Sequence, residues 1–214
     1  MNDKNLKKIF DYIQNDEYIV IKLDENTLGD HGKDVDIYCK NISIIGKKIM
    51  HIANSLLKTR EYDQIKLIEN KNEKHVYIDF YKNNNLNFRF DLFGKSPNFK
   101  NLTIKKEFFS DCLKNRIKKT IIKNTSTFNI FIPNENHDLL FRYIEYTENH
   151  AERPEKIKHL HYVSSMLTDK NKIFIFLSSI SLYVLKKDTE RKNTLYIKNC
   201  IFSIKRILKK LLRI

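Results

Sequence analysis

The stretch DVDIYC, residues 34–39, sets two aspartates two positions apart inside an apolar alternation. On an extended strand, residues i and i+2 point to the same side. Asp34, Asp36 and Tyr38 therefore share one face, and Val35, Ile37 and Cys39 share the other, which suits a core. LNFRFDLF, residues 86–93, repeats the pattern: Asn87, Arg89 and Asp91 face one way, Phe88, Phe90 and Leu92 the other. Asp-x-Asp alone is also common on solvated strands; a third acid on a second alternating strand gives it chemical meaning. Three carboxylates from two strands suit Mg2+, a hard ion that prefers oxygen ligands and keeps sites for water and substrate phosphates. Two such ions about 3.5–4 Å apart would clamp the attacking and leaving oxygens of a phosphoryl or nucleotidyl transfer. Metal ions there would also relieve the repulsion between Asp34 and Asp36.

HVYIDFY, residues 75–81, carries a rival acid, Asp79. A hairpin turning about Asn83–Asn85 brings Asp79 beside Arg89 or Asp91. Asp91 is the preferred ligand, with Asp79 pairing Arg89 across the strands. His31 and Lys33 precede the acids and stand near phosphates or acceptor, or in a solvated loop.

These strands need a sheet with one face covered. Residues 3–14 place Leu6, Ile9, Phe10 and Ile13 on one helical face. YIVIKL, 18–23, reads as a short buried strand, and ENTLGDHGK, 25–33, as a loop broken by Gly29 and Gly32. Asn41 or Ser43 caps a helix over 43–59, with Ile45, Ile49, Ile52 and Leu56 inward. Strands follow at 62–68, 75–81 and 86–93, the last two joined by the hairpin loop KNNNL. Residues 105–119 read as a basic helix, and 128–132 as a short strand or extended connector. From Asn134 the pattern is helical, over 135–149, 153–167, 170–187 and 190–213, with Pro154 in a first helical turn. The expected fold class is α+β. Residues 1–100 form an α/β domain with a mixed sheet and flanking helices, and residues 101–214 a helical domain, with a soft boundary across 100–134.

The net charge of +14 favours a polyanionic partner: nucleic acid, nucleotide phosphates or an acidic membrane surface. Coding bias yields the same charge, because the chain is crowded with Lys, Asn and Ile, so charge alone selects no function. A hydrophobic content of 41% is enough to fold a core. The longest apolar run, IFIFLSSISLYVL, falls short of the ~20 residues that span a bilayer. Residues 1–25 lack the apolar centre of a signal peptide, so the expected compartment is the cytoplasm. Cys39, Cys112 and Cys200 are too scattered for a zinc or disulfide set and are expected reduced and mostly buried.

The order of these motifs resembles the nucleotidyltransferase fold of the DNA polymerase β-like superfamily. That family has a first strand ending in Gly-Ser, a loop, Asp-hydrophobic-Asp on the second strand, and a third acid between apolar residues on a later strand. YIVIKLDENTLGDHGKDVDIYC followed by FRFDLF matches it over roughly residues 5–95. Lys22 and Leu23 stand where Gly-Ser is expected. A subset linked to bacterial surface-polysaccharide genes resembles this chain in placing a basic residue there. The resemblance implies a Mg2+-dependent enzyme that moves a nucleoside monophosphate from an NTP to an acceptor hydroxyl or phosphate. Asp34, Asp36 and Asp91 would hold two Mg2+ ions, Asp91 would also orient or deprotonate the acceptor, and Lys22 would reach the triphosphate. Lys33, Arg89 and Lys158 complete the candidate nucleotide contacts.

In members of this size a helical bundle closes one side of the nucleotide cleft. Here Leu139, Leu140, Tyr143 and Ile144 have core spacing, and Arg142, Lys156, Lys158 and His159 are candidate phosphate or acceptor contacts. LYIKNCIFSIKRILKKLLRI is amphipathic, with Ile201, Ile204, Leu208 and Leu211 or Leu212 on one stripe amid Lys and Arg. It reads as a packed terminal helix, or as a peripheral contact through 194–214 with the acidic inner face of a membrane. The favoured acceptor is a sugar or glycolipid of surface polysaccharide. The alternatives are a tRNA end or protein side chain, as for a toxin-type member, or a degenerate fold that binds RNA or a partner protein.

Overall fold

The computed structural model describes residues 1–24, 28–30, 33–70, 72, 74–123 and 126–187. By contacts the chain divides into two units: Met1–Pro97 with Phe109–Asn134, and Asn98–Phe108 with the described residues from Glu135 on. The sequence reading set a soft boundary across residues 100–134; within that span, Phe109–Asn134 groups with the first unit.

The first unit is built on a five-stranded mixed sheet. Its strands are β1 (Tyr18–Val20), β2 (Lys33–Cys39), β3 (Gln64–Asn70), β4 (His75–Lys82) and β5 (Asn85–Phe93), in the order β1-β2-β5-β4-β3. β2 and β5 run parallel; every other pair is antiparallel. The β4–β5 hairpin turns through Asn83 and Asn84, both left-handed at φ 51° and 60°. That is the geometry of a tight two-residue turn, and asparagine tolerates it better than most residues. A register shift between Phe80 and Tyr81, just past the turn, then sets Asp79 opposite Arg89 and Tyr77 opposite Asp91.

One sheet face is apolar. Val35, Ile37, Val76, Ile78, Phe80, Phe88, Phe90 and Leu92 are buried in one core with helices α1 (Asp3–Ile13) and α2 (Ile42–Lys58). α1 starts where the Asn2 side chain accepts from the Asn5 N–H at 2.9 Å. Its Leu6, Ile9, Phe10 and Ile13 are fully buried. α2 starts at Asn41, which accepts from the Ile44 N–H at 3.2 Å. Such caps each contribute about 1 kcal/mol. Phe10 stacks on Phe128 at 5.7 Å and meets Phe90 edge-on at 6.2 Å.

Phe128 lies on a second hairpin, β7 (Ile117–Lys123) with β8 (Ser126–Ile132), whose Ile121, Phe128 and Ile130 join the same core. The helix expected over 105–119 is therefore shorter: α3 spans Lys106–Lys114. Arg116 then anchors the turn into β7, donating to the Asp16 carbonyl at 2.8 Å with its guanidinium 4.0 Å over the Phe131 ring.

The second unit contains α4 (Glu135–Asn149), a 3₁₀ turn at Pro154–Lys156, α5 (Ile157–Met166) and α6 (Lys170–Tyr183). Leu139, Tyr143, Val163, Leu167, Ile173 and Phe176 form its core. It also holds a short antiparallel pair, β6 (Leu102–Ile104) with β9 (Val184–Lys186). That pairing ends α6 at Tyr183, short of the expected 187, because Val184 turns extended to meet Ile104. The expected helix over 190–213 lies outside the described residues. Among the described residues no helix is long and apolar enough to cross a membrane.

Candidate metal centre

The parallel register sets Asp36 directly opposite Asp91 and Asp34 opposite Arg89. All four sit on the polar face of the sheet, because their neighbours Val35, Ile37, Phe90 and Leu92 fill the apolar one. One carboxylate oxygen from each of Asp34, Asp36 and Asp91 lies within 4.8 Å of the other two. Oxygens trans on an octahedral Mg2+ are roughly 4.2 Å apart, twice its bond length of about 2.1 Å. The three carboxylates are thus close enough together to hold a metal ion. Asp34 is exposed, and Asp36 and Asp91 are half-buried, so solvent and substrate can reach the cluster.

Each of the other charged groups on this face has a specific partner. Arg89 grips Asp79 with two parallel hydrogen bonds, Nε to Oδ1 at 2.6 Å and Nη2 to Oδ2 at 2.8 Å. Its guanidinium also lies 4.7 Å over the Tyr77 ring. Asp79 is fully buried beneath this fork, in the cross-strand pairing expected of it. Lys22 pairs with Asp36, Nζ to Oδ2 at 2.8 Å, with both side chains mostly covered at 18% and 23% exposure. The Lys22 backbone is left-handed at φ 50°, and the preceding Ile21 N–H donates to the Asp36 carbonyl at 3.0 Å. Strand end and side chain thus fasten Lys22 to the same aspartate. His75, at the start of β4, bonds Asp91 Oδ1 through Nε2.

The Asp91 carboxyl is pushed above the usual carboxylate range, first by burial and then by the nearby Asp36 and Asp34 charges, against the opposing pull of the His75 bond. A raised value makes Asp91 a better proton acceptor than an ordinary aspartate. Beside His75 lies a cavity of about 340 Å³, lined also by Lys40, Glu69, Lys74 and Gly94.

The remaining predicted contacts are elsewhere. Lys33 opens β2, but its side chain, like His31, lies outside the described residues. Lys158 is exposed on α5 in the second unit. In that unit Arg142 pairs with Asp138 at 2.7 Å and covers the Tyr162 ring at 4.2 Å, Lys156 pairs with Glu145, and His159 is buried. Sequence reasoning missed His75, whose bond to Asp91 is a diagonal that only the hairpin register reveals. It also missed the Lys22–Asp36 pair, having assigned Lys22 to phosphate alone. No protein-family profile matches the chain, and no curated protein matches it significantly.

Proposed function

We propose that the protein is a Mg2+-dependent nucleotidyltransferase with a nucleotidyltransferase-like first unit. It moves a nucleoside monophosphate from an NTP to an acceptor hydroxyl or phosphate. The observation that carries this reading is the cluster of Asp34, Asp36 and Asp91 on adjacent parallel strands, matched in register and open to solvent. In the reaction an acceptor oxygen bonds the α-phosphorus, and the bond from that phosphorus to the pyrophosphate oxygen breaks. Asp34, Asp36 and Asp91 would hold Mg2+, which supplies charge neutralisation at the attacking and leaving oxygens. Asp91, made more basic by burial, takes the acceptor proton, and His75 holds its Oδ1 in place. Lys22 serves the triphosphate as a point charge. The acceptor favoured is a sugar or glycolipid, with RNA or a protein side chain behind it.

A second reading, a degenerate fold that binds RNA or a partner protein, draws support from one observation: Lys22 already neutralises Asp36. Against it, an electrostatic RNA binder gains nothing from three clustered carboxylates. Incubating the protein with Mg2+, α-phosphate-labelled NTPs and a cell extract separates the two. The enzyme reading expects label in one macromolecular fraction, lost on Asp34→Ala/Asp36→Ala substitution. No transferred label with any of the four NTPs, together with salt-sensitive RNA binding, overturns it in favour of the second.

A further inference from the structure

Lys22 sits in an unusual place for a residue whose only task is to meet a triphosphate. Its ammonium lies 2.8 Å from Oδ2 of Asp36, one of the three clustered carboxylates. The position is held from both ends. The left-handed φ of 50° at Lys22 turns the chain at the end of β1, and the Ile21 N–H bond to the Asp36 carbonyl locks that turn onto β2. A lysine on a solvated loop would lose side-chain entropy for such a contact and gain little. Here the pair is mostly covered, and its carboxylate belongs to a cluster of three like charges whose ligand atoms lie within 4.8 Å of one another. Like charges so close repel, and an ammonium among them offsets part of that repulsion.

Resting on the metal-site reading above, we infer that Lys22 is a tethered counter-ion that competes with the divalent cation for Asp36 and leaves the carboxylate only when a phosphate chain takes its ammonium. A divalent ion can take Asp36 Oδ1 while Lys22 stays on Oδ2, but the two cations then repel each other across one carboxylate. Metal alone must therefore bind against the charge of Lys22, which weakens metal binding. A metal–triphosphate complex brings the anion with it, so displacement of Lys22 then adds to binding instead of opposing it. The exchange makes metal and polyphosphate bind together better than either binds alone, a positive coupling carried by one side chain. It also offsets part of the cluster's charge when no nucleotide is present.

The inference predicts effects of opposite sign from one substitution. Mn2+ titration, followed by the loss of its free electron-spin signal, measures metal affinity alone. Thermal shift with magnesium tripolyphosphate measures the joint ligand. Lys22→Met should bind Mn2+ on the order of tenfold more tightly than the wild type, yet lose most of the tripolyphosphate shift. Lys22→Arg, which keeps the charge, should stay near the wild type in Mn2+ affinity, and a cooperative melting transition in each metal-free variant confirms that both fold. Should Lys22→Met unfold, Lys22→Gln replaces it in the same comparison. Mn2+ affinity unchanged or weakened in the neutral variants, with the wild type binding Mn2+, overturns the inference while leaving the metal site intact. No Mn2+ binding by the wild type or by either neutral variant overturns the inference and the metal site together.

Discussion

Arg89 and Asp79 form a two-point fork across β4 and β5, with hydrogen bonds of 2.6 and 2.8 Å and the aspartate side chain only 1% exposed. The fork favours Asp91 over Asp79 as the third acid of the proposed metal set. Asp79 has both oxygens committed to Arg89, whereas Asp91, two residues along the neighbouring strand, points toward Asp36.

Asp79→Ala should therefore act on stability and not on metal. Removing one partner of a buried pair strands the other, at about 3–5 kcal/mol when both are enclosed. Arg89 retains some access to water, so about 2–3 kcal/mol is expected here. Urea unfolding should show that loss while Mn2+ affinity, measured on the folded variant, stays within about threefold of the wild type. A larger loss of Mn2+ affinity would make Asp79 a ligand.

Two acids should give opposite slopes of stability with pH. Asp91 is raised, chiefly by burial. Between the ordinary aspartate value and its native one, the folded protein holds a proton that the unfolded chain has released. Its contribution is present at low pH and is lost as pH rises through the native value. Glu61 is lowered, chiefly by the Asn5 side chain, which donates to it at 2.6 Å and ties α1 to the loop after α2. Its contribution is present above the ordinary glutamate value and is lost as pH falls through the native one. Urea midpoints in chelator across the acidic range test both. Asp91→Asn should remove the decline with rising pH, and Glu61→Gln the decline with falling pH.

The two described cysteines should be inert in the folded protein. Burial pushes the Cys39 thiol up to about 12 and raises Cys112 as well. Thiolate is the reactive form, and neither side chain is exposed. In a Cys200→Ser background, a thiol reagent at mildly alkaline pH should label neither until urea unfolds the chain, and then both. Rapid labelling of native protein would contradict the burial of Cys39 against the sheet core.

The polar and apolar faces of β2 and β5 were legible because their alternation is strict and each apolar residue is large. α1 and α2 were legible for the same reason at helical spacing, with Asn2 and Asn41 as caps. The Asp79–Arg89 pair was legible as a charge pair across a hairpin, but its exact register depends on a shift between Phe80 and Tyr81 that the asparagine turn does not set. β7 was not legible: of its seven residues only Ile121 is buried, so no alternation marks it, and its pairing with β8 decides its conformation. The three-residue strands β6 and β9 carry no local signal, since each exists only through the other. At the proposed metal centre the acids were visible as residue types, but the contacts that Lys22 and His75 make with them were not. Lys22 reaches Asp36 through a left-handed turn, and His75 reaches Asp91 along a diagonal. Both depend on backbone geometry that residue spacing does not encode.

The most direct measurement is a thermal-shift screen of ATP, CTP, GTP and UTP, each with and without Mg2+, on the wild type and on Asp34→Ala/Asp36→Ala. A ligand that binds only the folded state raises its melting point by mass action. A Mg2+-dependent rise with at least one NTP, absent from the double variant, is the predicted result. No rise at millimolar NTP, or a rise that survives loss of both aspartates, would contradict a nucleotide-binding metal centre built on Asp34, Asp36 and Asp91.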